Sequence, residues 1–156
     1  MLDDHLNFFY YIVLFAAYCF AGWLAEVIYR SVTQRKFVNA GFLFGPFLPI
    51  YGIGAFLVLV LEHGLQDWPI AVRFAAFGLV ITLLEYTAGY LSEKIFKLTL
   101  WDYSEYRFNL HGRVCLQFSL LWTLLAMGFV LFVHPEALRR AAMLPAGLVQ
   151  IAAIVF

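Results

Sequence analysis

Charge is what this sequence has least of. Lysine and arginine together number 10 of 156 residues and aspartate and glutamate another 10, so the formal net charge is zero. A neutral chain without a basic tract gives nucleic acid nothing to hold. Cysteine is nearly absent. Cys19 and Cys115 both lie in apolar segments and read as small packing residues, not as a disulfide or metal framework. There is no G-x-x-x-x-G-K-[ST] run, so the chain carries no ATPase of its own. HExxH, paired CxxC and G-x-S-x-G are missing too, and no nucleophile has an adjacent base in sequence, which weighs against an enzyme. No cofactor and no metal are implied.

Hydrocarbon fills the chain instead. It is 64% hydrophobic with mean hydropathy +0.85, where a soluble domain is about 45–50% apolar. This composition predicts an all-α, polytopic membrane helix bundle, with residues 1–156 as one transmembrane domain and membrane lipids as its surroundings. The opening residues MLDDHLN are acidic, and the apolar run from Phe8 is long enough to span, so the first helix is expected to remain in the mature protein.

A spanning helix needs about 20 mostly apolar residues. Residues 8–29, 71–93 and 114–133 supply that. A fourth run, 42–61, is long enough, but Gly45, Pro46, Pro49, Gly52 and Gly54 crowd its first half. That half is expected to be kinked or partly unwound, which lipid tolerates only where the backbone is buried or lines a cavity. The last run, 141–156, reads as a short fifth helix: a tilted span, a helix that stops partway, or a truncated remnant.

Basic residues set the orientation. Seven lie on one side (Arg30, Arg35, Lys36, Lys94, Lys97, Arg107 and Arg113) and three on the other (Arg73, Arg139 and Arg140). The positive-inside rule then puts the amino terminus outside and loops 30–41 and 94–113 in the cytoplasm, for a multi-pass protein of the cell membrane.

Two carboxylates stand inside the apolar runs, Glu26 in the first helix and Glu85 in the third. An ionised side chain near the middle of a membrane helix costs roughly 3 kcal/mol on insertion scales. Such residues usually serve pairing, ligand binding or proton transfer. Glu26 and Arg30 are spaced i,i+4 with the acid first, the favourable order for a helical ion pair, and Gly22 sits one turn earlier on the same face. Gly78, Thr82, Glu85, Gly89, Ser92 and Glu93 form one small or polar stripe that must face other helices. In the plainer reading, Glu85 only bonds a neighbouring helix. Both acids fall on the cytoplasmic half with the Gly/Pro stretch, which points to a polar cavity open to the cytoplasm.

In the Gly/Pro stretch, Pro46 and Pro49 remove backbone donors and Tyr51 adds a hydroxyl, either a broken helix offering groups to a ligand or a simple kinked entry. The loop 101–113, WDYSEYRFNLHGR, is dense in aromatics and charges. It reads as an interfacial segment or as a cap over the cavity, with Arg113 a counter-ion for Glu85, Glu93 or an anionic ligand.

The blocks GWLAEVIYR, FVNAGFLFGPFLPIYGIGA, LEYTAGYLSEKIF and WDYSEYRFNLHGRVCLQFSLLW resemble the ABC-transporter type IV, or CmpB-like, family of small integral membrane proteins. The likeness runs from about Gly22 to Trp122. That family often has a basic residue where Ala40 stands and a glycine where Thr123 stands. The resemblance implies a permease-like transport component and carries family motif positions onto Glu26, Arg30, Asn39, Gly45, Pro46, Pro49, Tyr51, Gly52, Glu85, Gly89, Glu93, Trp101, Asp102, Tyr103, Asn109 and Arg113. Glu26, Arg30, Tyr51, Glu85, Glu93, Trp101, Asp102, Tyr103 and Arg113 are the candidate ligand- or ion-binding groups. About five helices are few for a whole transporter, so a separate ATPase subunit or a homo-oligomer is expected. Two alternatives stay open: a protein that binds or modifies a lipid or other amphiphile, with Glu85 and Asp102 as acid and base, and a membrane scaffold in which the polar stripe only joins helices.

Overall fold

The computed structural model describes residues 8–41 and 45–155. Among them the chain forms five helices: α1 (Phe8–Gln34), α2 (Pro49–Leu65), α3 (Ile70–Phe96), α4 (Leu116–Ala142) and α5 (Ala146–Val155). Three of them, α1, α3 and α4, are each 27 residues long and apolar enough to cross a membrane, about 40 Å at 1.5 Å per residue. This is an all-α membrane protein.

The helices run longer than the apolar runs alone indicate. α1 continues past Tyr29 to Gln34, because Arg30 and the polar turn after it remain helical beyond the hydrocarbon. α4 passes Val133 through a widened, π-helical turn at Phe129–Val133 and carries on to Ala142. α3 likewise ends in a π-helical turn, Ser92–Phe96. α2 is shorter than the run 42–61. It starts at Pro49, where the fixed proline φ suits a first helical turn and no intrahelical donor is needed. Gly45–Leu48 is not helical; Phe42, Leu43 and Phe44 of the expected fourth run lie outside the described residues. α5 has 10 residues, an apolar helix shorter than a span.

The chain divides into two compact units. One comprises Leu57–His134. In it α3 packs along α4, and the connecting segment folds into a small hairpin, β1 (Asn109–Leu110) antiparallel to β2 (Val114–Cys115). Of the stripe expected on α3, Gly78 and Glu85 meet α4, whereas Gly89 and Glu93 meet Trp101 and Arg113 of the segment between the helices. A Cβ on Gly78 would come within 2.9 Å of Thr123 Oγ1, so glycine leaves the room that the threonine side chain takes. Leu79, Leu83 and Leu124 point outward, as lipid-facing residues should.

The other unit contains the described residues up to Phe56 and those from Pro135 onward. Here α5 lies against α1, and the Tyr10 hydroxyl donates to the Leu144 carbonyl at 3.2 Å. The start of α2 is stitched to α1 by the Leu48 N–H on the Cys19 carbonyl at 3.2 Å. Gly22 makes this approach possible: a Cβ there would run into the Tyr51 side chain.

Candidate functional site

Two clusters of polar side chains form, one in each unit. In the Leu57–His134 unit the centre is Glu85, about 22 Å from the start of α3 and so just past its middle. Its side chain is buried, at 7% relative exposure. Oε1 accepts the Tyr103 hydroxyl at 3.0 Å and the Trp122 Nε1–H at 3.2 Å. Oε2 is buried with no hydrogen-bond partner among the described residues. A buried carboxyl oxygen left unbonded costs about 1–3 kcal/mol, and more if charged.

Two turns along α3, Glu93 takes Arg113 from the hairpin. Its Oε2 accepts Nε at 3.0 Å and Nη2 at 2.5 Å. The third direction of the guanidinium is used as well, with Nη1 donating to the Tyr86 hydroxyl at 3.3 Å. The Tyr86 and Tyr90 rings lie 5.4 and 5.3 Å from the guanidinium carbon, a cation–π clamp. Glu93 holds the Arg113 pKa above its usual value. Of the two acids on α3 that Arg113 was expected to serve, it serves Glu93, with Nη1 turned to Tyr86.

The hairpin is braced from within. Trp101 Nε1–H donates to the Arg113 carbonyl at 2.8 Å. The Tyr103 N–H donates to the Gly112 carbonyl at 2.7 Å, which closes the loop and aims the Tyr103 ring at α4, where it stacks on Phe118 with centroids 4.8 Å apart. Burial, and then the neighbouring Glu85, push the Tyr103 phenol well above its usual pKa, so it stays a donor. Asp102 has a local job. Its Oδ1 accepts the Ser104 N–H at 2.8 Å and the Ser104 hydroxyl, and these bonds hold its carboxyl below the ordinary range. His111 Nδ1 meets the Tyr86 hydroxyl at 3.0 Å.

In the other unit the i,i+4 geometry on α1 produces an ion pair, Arg30 Nε to Glu26 Oε1 at 2.7 Å. Glu26 Oε2 accepts the Tyr51 hydroxyl from α2 at 2.9 Å. Both oxygens of this acid are therefore occupied, in contrast to Glu85. Asn39, at the end of the connection from α1, accepts the Trp23 Nε1–H at 2.9 Å and the Gly41 N–H at 3.0 Å.

Sequence reasoning passed over three participants. Trp122 lies 37 residues from Glu85, and nothing in local spacing connects them. Tyr86 follows Glu85 directly, yet its hydroxyl joins the Arg113 group. The third is an ion pair, Glu62 with Arg73, at 2.9 and 2.6 Å through Nε and Nη2. It is largely buried, with side-chain exposures of 11% and 12%. The signal was present: one acid at the end of α2 and one arginine at the start of α3, joined by a short turn.

Among the described residues no group of histidine, cysteine, aspartate and glutamate is arranged to hold a metal ion. Cys19 and Cys115 are free, buried thiols. No curated protein and no solved structure matches the chain. A family model does match, over residues 13–156, nearly the whole sequence. The chain is a membrane protein belonging to the family described as "Putative ABC-transporter type IV".

Proposed function

We propose that the chain is the permease-like membrane component of a transporter, with Glu85 as the group that engages cargo or a coupling ion. The family supports a transport-related role. The observation that carries the reading further is the open Glu85 Oε2, buried in a spanning helix while the nearest arginine of the hairpin is committed to Glu93. A carboxylate fixed by two donors on one oxygen and open on the other can take a cation or a ligand donor, or carry a proton. The excess of basic residues in loops 30–41 and 94–113 supports a cytoplasmic position for both, with the amino terminus outside and the cell membrane as the location. On that orientation Glu85 belongs to an inward-facing polar cavity and the braced hairpin caps it.

Having no nucleotide-binding motif, the component needs a separate ATPase subunit, and a homo-oligomer would supply further helices. Gentle purification followed by native mass spectrometry, with flux assays in liposomes, tests this. An ATPase partner and a retained small ligand that is lost in Glu85→Gln are expected. Absence of any ATPase together with absence of flux would reject the reading.

A further inference from the structure

Five arginines are ion-paired among the described residues and differ in how much of the guanidinium is used; Arg139 and Arg140 share Glu136 on the exposed end of α4, Arg140 through Nε alone at 76% exposure, and the other three are more buried. Arg73 spends Nε and Nη2 on Glu62. Arg113 spends Nε and Nη2 on Glu93 and Nη1 on Tyr86. Arg30 spends Nε alone, on Glu26, and neither of its Nη nitrogens has a partner among the described residues. Its side chain is only 34% exposed, and the carboxylate behind it is held by Tyr51 on its other oxygen. The guanidinium is therefore fixed in orientation with its two-nitrogen edge unoccupied.

Local charge says what belongs on that edge. Glu26 is the sole acid between residues 8 and 56, whereas Arg30, Arg35 and Lys36 lie within seven positions of one another. Glu26 neutralises one of these cations and leaves an excess of two. A planar fork followed in sequence by two further cations matches a tetrahedral oxyanion, which takes two parallel N–H donors from one guanidinium.

We propose that Arg30 seats a phosphate oxyanion on its open Nη edge, with Glu26 and Tyr51 as the positioning groups and Arg35 and Lys36 as the attracting charges. The phosphate is that of an anionic lipid headgroup or of a soluble phosphate compound. This seat is in the unit that lacks Glu85 and does not depend on the transport reading.

The full chain in a phosphate-free detergent, titrated with phosphatidylglycerol, phosphatidylcholine or inorganic phosphate and read by native mass spectrometry, tests it. One bound phosphatidylglycerol or one phosphate is expected. Loss of these charge-assisted bonds should weaken binding at least about tenfold in Arg30→Gln and by less than about threefold in Arg35→Gln/Lys36→Gln. Binding of phosphatidylglycerol alone names the lipid as source, and binding of inorganic phosphate as well names a soluble compound. Arg30→Lys keeps the charge without the fork and should still lose several-fold, which guards against a folding defect in the glutamine variant. The proposal is overturned if neither anion binds, if Arg30→Gln or Arg30→Lys binds like the parent, or if the Arg35→Gln/Lys36→Gln variant loses as much as Arg30→Gln.

Discussion

The cluster around Glu85 and the cluster around Arg30 use the same residue types, a glutamate, an arginine and a tyrosine hydroxyl, and they are incomplete in opposite ways. On α1 the acid is saturated, by Arg30 on one oxygen and Tyr51 on the other, and the guanidinium is left with open nitrogens. At α3 the guanidinium that comes from the hairpin uses all three nitrogens, on Glu93 and Tyr86, and an acid of the helix is left with an open oxygen. Glu62 and Arg73 are the closed limit between them, two bonds and little exposure on either side. A structural ion pair in an apolar setting can evidently be finished in this protein. The two that are not finished mark where a ligand, an ion or a proton belongs.

The largest expected effect lies at the closed pair. Arg73→Leu leaves Glu62 buried without its counter-charge and should cost about 3–5 kcal/mol of stability in detergent unfolding, while Glu62→Leu/Arg73→Leu should recover most of that loss. A double variant as unstable as the single would mean that the pair is not the closed limit against which the others are measured.

Next comes Arg113→Ala, which unties the hairpin from α3 and removes charge-assisted bonds worth about 1.5–3 kcal/mol. Hydrogen exchange should rise across the hairpin, and an unchanged exchange pattern would separate Arg113 from the bracing role. The tyrosines sharpen the contrast further. Tyr103→Phe takes one of two donors from a buried acid and should cost about 1–3 kcal/mol, whereas Tyr51→Phe leaves Glu26 still paired to Arg30 and should cost about 1 kcal/mol or less. The reverse order in thermal unfolding would undo the distinction between the two acids.

A smaller effect follows from pH. The Tyr103 phenol is raised in the folded chain but ionises near its ordinary value of 10.0 when unfolded. Stability from this group is therefore complete below about pH 10 and declines above it, as the unfolded chain releases a proton that the folded one keeps. Ultraviolet titration of the parent against Tyr103→Phe checks this, and an additional tyrosine titrating near pH 10 in the folded parent would oppose it. Smallest of all is the stability effect of Glu85→Gln, below about 1 kcal/mol, because an amide carbonyl still accepts from Tyr103 and Trp122. Its effect should fall on function.

How much of this was legible beforehand depended on sequence distance. Glu26 and Arg30 are one helical turn apart, and spacing alone paired them. The glycine and threonine stripe on α3 was also readable, because lipid offers polar and small residues no other reason to share a face. What spacing could not reach was any partner fixed by the hairpin. Tyr103 lies 18 residues from Glu85 and Arg113 lies 20 from Glu93. Which acid received Arg113 was settled by where Gly112 and Tyr103 close the loop. The Gly/Pro half of the fourth apolar run was readable as well, since it was expected to be kinked or partly unwound and its described part, Gly45–Leu48, is not helical. Hydropathy continued through Gly45–Leu48, but glycine and proline backbones do not form a helix there, and α2 begins only at Pro49.

Among the described residues, Glu85 is the glutamate that keeps a buried oxygen without a hydrogen-bond partner. Dicyclohexylcarbodiimide, an apolar electrophile that takes the proton of a carboxyl group in the membrane and is then attacked by its oxygen to give an acylisourea, measures this when the modified residues are mapped by mass spectrometry. Preferential labelling of Glu85 is expected, with Glu26 and Glu62 protected because both oxygens of each are bonded, and no label at that position in Glu85→Gln. An unmodified Glu85, or labelling of Glu26 and Glu62 to the same extent, would contradict it.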